Sequence, residues 1–245
     1  MSNAILEVIV CSVADAIEAE KGGANRLEVV RSLDRGGLTP SLELVCAIKK
    51  AVDLPLRVMA RESDGYETSG QEEVEALCVA AARFSELGVD GLVTGFLKDD
   101  EIDLELTQRV LACARGLNAT FHHAFEDARD QLEAIRKLKR LHQIDRILSH
   151  GGTGALEERQ KRLDAYAHAA APEIKIIGGG AIDKAAIALL RRGTTIREFH
   201  VGRAARRGFR VDGEVQAELV RALVQATNSS NGSVSVSNEY AEGVG

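Results

Sequence analysis

The stretch "IKIIGGGAIDKAAIALLRRG" (174–193), followed by "REFHVGRAARRG" (197–208), decides the fold. A short apolar run ends in three glycines. Asp183 then opens a segment of helical periodicity that stops at Gly193, and a second apolar run ends on His200 and turns at Gly202. Strand, glycine turn, helix and strand make the repeat of a parallel α/β protein. The same unit recurs toward the N-terminus. Apolar runs begin near Ile5, Arg26, Pro55, Asp90, Asn118 and Ile144, before those near Ile174 and Arg197. Helical patterns follow them near 13–21, 40–52, 71–87, 103–115, 129–141, 155–170, 183–192 and 213–226. Eight such units with short connections predict an α/β chain folded as a single (β/α)8 TIM-type barrel over residues 1–227. An open doubly wound sheet is the alternative.

Local signals mark several boundaries. Gly22-Gly23 and Gly88 suit helix ends, where glycine accepts the left-handed conformation. Thr39 is the expected N-cap of the second helix, with Pro40 at its first position, and Asp183 the cap of the seventh. Val74, Leu77, Cys78, Ala81 and Phe84 share one face of the third helix. Residues 228–245, "NSSNGSVSVSNEYAEGVG", lack an apolar face and are expected to form a disordered tail.

Composition narrows the function classes. The net charge of -6 over 245 residues argues against broad nucleic-acid binding. No run approaches the roughly 18 apolar residues of a membrane helix, and the N-terminus enters "ILEVIV" (5–10) without a signal-peptide pattern. A cytoplasmic protein is expected. Cys11, Cys46, Cys78 and Cys113 form no CxxC, which suits reduced thiols better than a disulfide framework.

The chemistry is expected where strands end, at the carboxyl-terminal mouth. Glu7 and Glu28 interrupt apolar strands, where a buried carboxylate needs a partner, a ligand or a proton. Arg61 ends the third strand, and His122 and His200 follow apolar runs directly. Histidine suits acid–base work near neutral pH. Glu7, Glu28, Arg61, His122 and His200 are therefore the candidate catalytic set. His123 is expected to point away, because neighbours on a strand face opposite sides. Gly178, Gly179, Gly180 and Arg203, with Arg206 and Arg207 nearby, are the candidate anion site. Cys11 and His150 are the candidate metal ligands. The loop 61–70 is read as either a lid or a plain solvated loop.

Taken in order, "LEV" (6–8), "GGANRLEV" (22–29), "GGLTPS" (36–41), "VMAR" (58–61), "EID" (101–103), "TFHHAFE" (120–126), "GGGAI" (178–182) and "EFH" (198–200) resemble the CutC family of copper homeostasis proteins over about residues 4–205. The resemblance implies a cytosolic TIM-type barrel, a homodimer or homotetramer, with a role in copper tolerance or trafficking. It also implies copper as the bound ion, held through cysteines. At the family's two cysteine positions this chain has Ile9 and Val30, and Cys11 stands where the family has aspartate. Tight copper(I) binding at those positions is therefore expected to be weak or absent. Two functions follow: a copper-binding homeostasis protein, or an isomerase- or lyase-type enzyme acting on a small phosphorylated or carboxylated metabolite.

Overall fold

A computed structural model describes residues 4–228. Eight parallel strands close into a barrel: β1 (Ile5–Val10), β2 (Arg26–Val29), β3 (Leu56–Met59), β4 (Gly91–Thr94), β5 (Asn118–Phe121), β6 (Ile144–Ser149), β7 (Lys175–Gly178) and β8 (Glu198–Val201). Each strand pairs with its neighbours in sequence, and β8 closes the ring against β1. This is the expected (β/α)8 architecture. The proposed tail from 229 onward lies outside the described residues.

Alternation along the strands separates two cores. Leu6, Val8, Val10, Leu27, Val29, Val58 and Leu92 are fully buried and join the main core with the helices. The opposite phase faces the barrel axis. There Val30, Met59 and Val93 form a small separate apolar cluster, with Ile9, Cys11 and Leu33 packed against it.

The amino-terminal half of the barrel is filled by charge. Arg26 binds Glu7 and, at 2.9 Å, Glu198. Arg146 reaches Glu198 at 2.7 Å, and Arg57 holds Asp145 through two bonds of 2.8 Å. Buried charges persist only when paired and hydrogen-bonded, and these arginines meet that condition.

Three boundaries differ from the sequence reading. Ser41, not Thr39, caps the helix Leu42–Ala51, accepting from the Leu44 amide. The Thr39 hydroxyl instead bonds both the amide and the carbonyl of Arg61, tying two loops together at the mouth. After β5 the chain makes a short helix, Ala124–Asp127, before Gln131–Leu138. The last helix begins at Ala217, because 203–209 winds into two 3-10 turns. Asp183 caps the helix Lys184–Gly193 as expected.

Candidate active site at the barrel mouth

Register places Glu7 beside His200 across β1 and β8, and Glu28 one step higher beside Ile9 across β1 and β2. The three side chains consequently meet inside the barrel. His200 Nδ1 lies 2.8 Å from Glu7 Oε1 and 3.5 Å from Glu28 Oε2. Burial opposes the charge of Glu7, but Arg26 and then His200 hold its carboxyl far below the usual range. Burial also opposes the charge of His200, yet the Glu28 and Glu7 carboxylates raise it above the ordinary imidazole value. Glu28 differs. Burial, against the charge of His200 and with that of Glu7, pushes it up to about 7, and its Oε2 has no hydrogen-bond partner. Two carboxylates in one cluster therefore differ in protonation, because one has an arginine and the other has not.

The opposite wall carries Arg61, His122, His123 and Tyr66. His122 Nδ1 accepts from the Ala124 amide at 3.1 Å. That bond fixes the tautomer and leaves Nε2 carrying the proton, buried and without a partner. Burial, Arg61 and His123 lower the ring to about 3, so it is a neutral donor at pH 7. The ring fits because residue 95 is glycine; a Cβ there would fall 2.8 Å from His122 Nδ1. Arg61 lines the same wall, but its terminal nitrogens donate to the carbonyls of Gly37 and Asp64. It clamps two loops while lending its charge to the mouth. Tyr66 packs on His122 with ring centroids 5.3 Å apart and lies 5.4 Å from the Arg61 guanidinium. The loop 61–70 thus folds inward at Tyr66.

The orientation expected for His123 is corrected. β5 ends at Phe121, so strand alternation no longer governs residues 122 and 123, and both rings line the mouth. The onset of the helix Ala124–Asp127 was the missing signal.

A cavity of about 600 Å³ opens between the ends of β7 and β8, and an adjoining lobe of about 290 Å³ runs to Glu28, Arg61 and His122. Ile9, Leu33, Gly36, His123 and His200 border both. Gly180, Gly202 and Arg203 line the larger lobe. The Gly179 amide is used by the Ser149 carbonyl. Among the described residues, no hydrogen bond involves the amides of Gly180, Gly202 or Arg203, or the Arg203 guanidinium. The neighbouring arginines turn away: Arg206 bonds Asp15 at 2.9 Å, and Arg207 pairs with Glu214 at 3.2 Å. Part of the glycine run answers to space, since a Cβ on Gly179 would meet Leu148 and one on Gly180 would meet His150.

Cys11 and His150 sit in different surroundings. Cys11 packs against the apolar cluster, with Arg206 3.7 Å from its sulfur. Burial, despite Arg206, raises its thiol above the ordinary value. His150 groups instead with His123 and Glu126, while Glu7, Glu28 and His200 form the second cluster of ligating side chains among the described residues. Neither cluster contains Cys11. Cys46, Cys78 and Cys113 lie on outer helices. Sequence reading missed that Cys78 and Cys113 meet across two packed helices. Burial, then the neighbouring Cys113 thiol, pushes Cys78 up to about 11.

The CutC family model matches residues 4–205. The chain belongs to the CutC family. Among its relatives, the human copper homeostasis protein cutC homolog is 34% identical over 198 residues, covering 80% of this chain and 72% of the relative. A CutC family protein of Xylella fastidiosa (strain Temecula1) is 32% identical over 196 residues, covering 80% and 73%. The crystal structure of the putative copper homeostasis protein CutC from Streptococcus agalactiae superimposes with a TM-score of 0.76 at 26% identity, covering 80% of this chain and 97% of that one. Among the described residues, no helix is long and apolar enough to cross a membrane.

Ile9 and Val30, at the ends of β1 and β2, offer copper(I) no donor atom. That ion prefers soft sulfur donors, whereas Ile9 borders the cavity with a hydrocarbon side chain and Val30 is buried in the apolar cluster.

Proposed function

We propose that this CutC-family barrel is an enzyme of isomerase or lyase type that moves a proton on a small phosphorylated or carboxylated metabolite. The observation that carries the reading is Glu28: a wholly buried carboxyl, raised to about 7, with Oε2 unpartnered in a lobe that opens to solvent. A group poised near the working pH with an open valence is what general acid–base transfer requires.

In this reading Arg203 and the amides of Gly180 and Gly202 hold the anionic end of the substrate. Glu28 takes a proton from the carbon beside a carbonyl. The His122 Nε2–H faces the carbonyl oxygen and stabilises the charge that develops there. On an α-hydroxy carbonyl, the hydroxyl proton then passes to the former carbonyl oxygen while Glu28 returns its proton to the former carbonyl carbon, which completes an isomerisation without an oxidant; alternatively the intermediate expels a leaving group from the adjacent carbon and leaves a double bond. His200, held by Glu7, supplies positive charge beside Glu28 and biases it toward the base form. No lysine takes part, so the step needs no Schiff base.

Thermal-shift screening of phosphorylated and carboxylated metabolites tests the anion site, with Arg203→Met as its control. Any ligand found is then incubated in deuterium oxide. Exchange of a carbon-bound proton should fall by about 10²–10⁴-fold in Glu28→Gln. Undiminished exchange in that variant would sink the reading. A competition titration with a copper(I) chelator, run on the parent, Cys11→Ser and Cys78→Ser, addresses the copper alternative. Tight stoichiometric binding lost with Cys11→Ser would restore a copper role at the mouth.

A further inference from the structure

We propose that His123, Glu126 and His150 bind one divalent cation of the zinc class at the edge of the mouth. One ligand atom from each lies within 4.8 Å of the others. Zinc holds such atoms at about 2.0–2.2 Å, which sets them roughly 3.4 Å apart in a tetrahedral site. Binding requires the three groups to draw together toward that spacing. Two imidazoles and a carboxylate with a further position open form a known donor set for zinc-class ions in reactive sites.

Independent features of the surroundings point to an ion. His123 Nδ1 is buried and has no hydrogen-bond partner. A buried, unsatisfied nitrogen is uncommon and calls for an occupant. His150 Nδ1 lies 3.0 Å from the Gly152 carbonyl, which can only accept. Nδ1 therefore carries the proton, and the other ring nitrogen keeps its lone pair. An outward hydrogen bond of this kind is the usual mark of a ligating histidine.

Glu126 is held in the same way. Its Oε1 accepts from the Ser149 hydroxyl and the amides of His150 and Gly151, and its Oε2 accepts from the Gly152 amide at 3.0 Å. A carboxylate oxygen offers two acceptor positions, so Oε2 retains one. Room for His150 comes from Gly180, where a Cβ would fall 2.2 Å from His150 Cβ. The rings of His123 and His150 stand 5.7 Å apart. His123 borders both lobes of the cavity, so a bound ion with an open coordination position would present it to a ligand there.

The second cluster is less suited. Glu7 and His200 are bonded to each other, and Arg26 already neutralises Glu7. The cation site is independent of the proton-transfer reading; either can fail while the other stands.

The test uses chelator-stripped full-length protein titrated with zinc chloride, and with cobalt(II) chloride as a visible-absorbing stand-in. One equivalent should bind, with a cobalt spectrum of low coordination number. His123→Ala and His150→Ala should each weaken binding by at least the roughly 100-fold that loss of an outer-sphere partner can cost. Unfolding curves show whether each variant is folded. Glu28→Gln should bind the ion as the parent does. Absence of stoichiometric binding, or binding that survives both histidine changes, would overturn the proposal. Loss with Glu28→Gln but not with His123→Ala would overturn it in favour of the Glu7–Glu28–His200 cluster.

Discussion

At the amino-terminal end of the barrel, Arg26 reaches Glu7 and Glu198, Arg146 reaches Glu198, and Arg57 grips Asp145. At the other end, Glu28 Oε2, Arg61 Nε, His122 Nε2 and His123 Nδ1 are buried without hydrogen-bond partners. Both ends place ionisable groups in a cavity that could have been filled with leucine and valine. The floor satisfies its charges internally, so it has nothing left to offer a ligand. The mouth leaves valences open at a cost in stability, and proteins tolerate that chiefly where binding or chemistry occurs.

Breaking a floor contact should give the largest stability loss. Arg26→Met leaves Glu7 with His200 and Glu198 with Arg146 but removes the cation that joins the two buried carboxylates, and about 3–5 kcal/mol should disappear from the free energy of unfolding in urea. A loss below 1 kcal/mol would mean that water already reaches the floor.

Gly180→Ala is expected to cost about 1–3 kcal/mol, since its φ of +75° is strained for alanine and His150 occupies the space. Calorimetry of this variant beside Gly116→Ala, also at positive φ but with open space, separates crowding from backbone strain.

Two opposed pH effects sharpen the comparison further. Glu28 has a folded-state value of about 7 against an ordinary 4.5. Its protonated form therefore contributes stability below about 4.5, and this is lost as pH rises through 7. Glu28→Gln should gain stability relative to the parent between pH 5 and 8. Parallel curves for the two proteins would show that Glu28 is ionised and partnered.

His122 has the opposite sign. Its value of about 3 lies below the ordinary 6.5, so the unfolded chain takes up a proton that the folded one refuses. Stability falls as pH drops from 6.5 toward 3. His122→Gln should show a shallower acid limb between pH 6.5 and 5, the smallest of these effects.

The eightfold strand–helix repeat was legible because apolar period and glycine punctuation survive in a single sequence. The meeting of Glu7, Glu28 and His200 was legible too, since charged residues inside apolar strands must find each other. His123 was not. Its orientation depends on the strand ending one residue earlier, a boundary set by the helix Ala124–Asp127. Thr39 looked like a cap because "TPS" offers two hydroxyls, and only the position of Arg61 decides between them. Cys78 and Cys113 come together through helix packing, which leaves no local trace. Arg206 read as an anion ligand until Asp15, nearly two hundred positions away in sequence, claimed it.

Gly95 and Gly180 have a consequence for the route by which this mouth can change. The ring of His122 occupies the space a side chain on residue 95 would need, and His150 does the same for residue 180. Filling either glycine first collides with a histidine already in place. Removing the histidine first leaves a void and a loop without its anchor. For residues 95 and 122 the two positions are linked and passable in one order only: imidazole out, then side chain in; at residue 180 the clash is with the Cβ of His150, so only glycine at 150 would clear it. A variant library that randomises residues 95 and 122 together will reach folded alternatives that scanning one position at a time cannot.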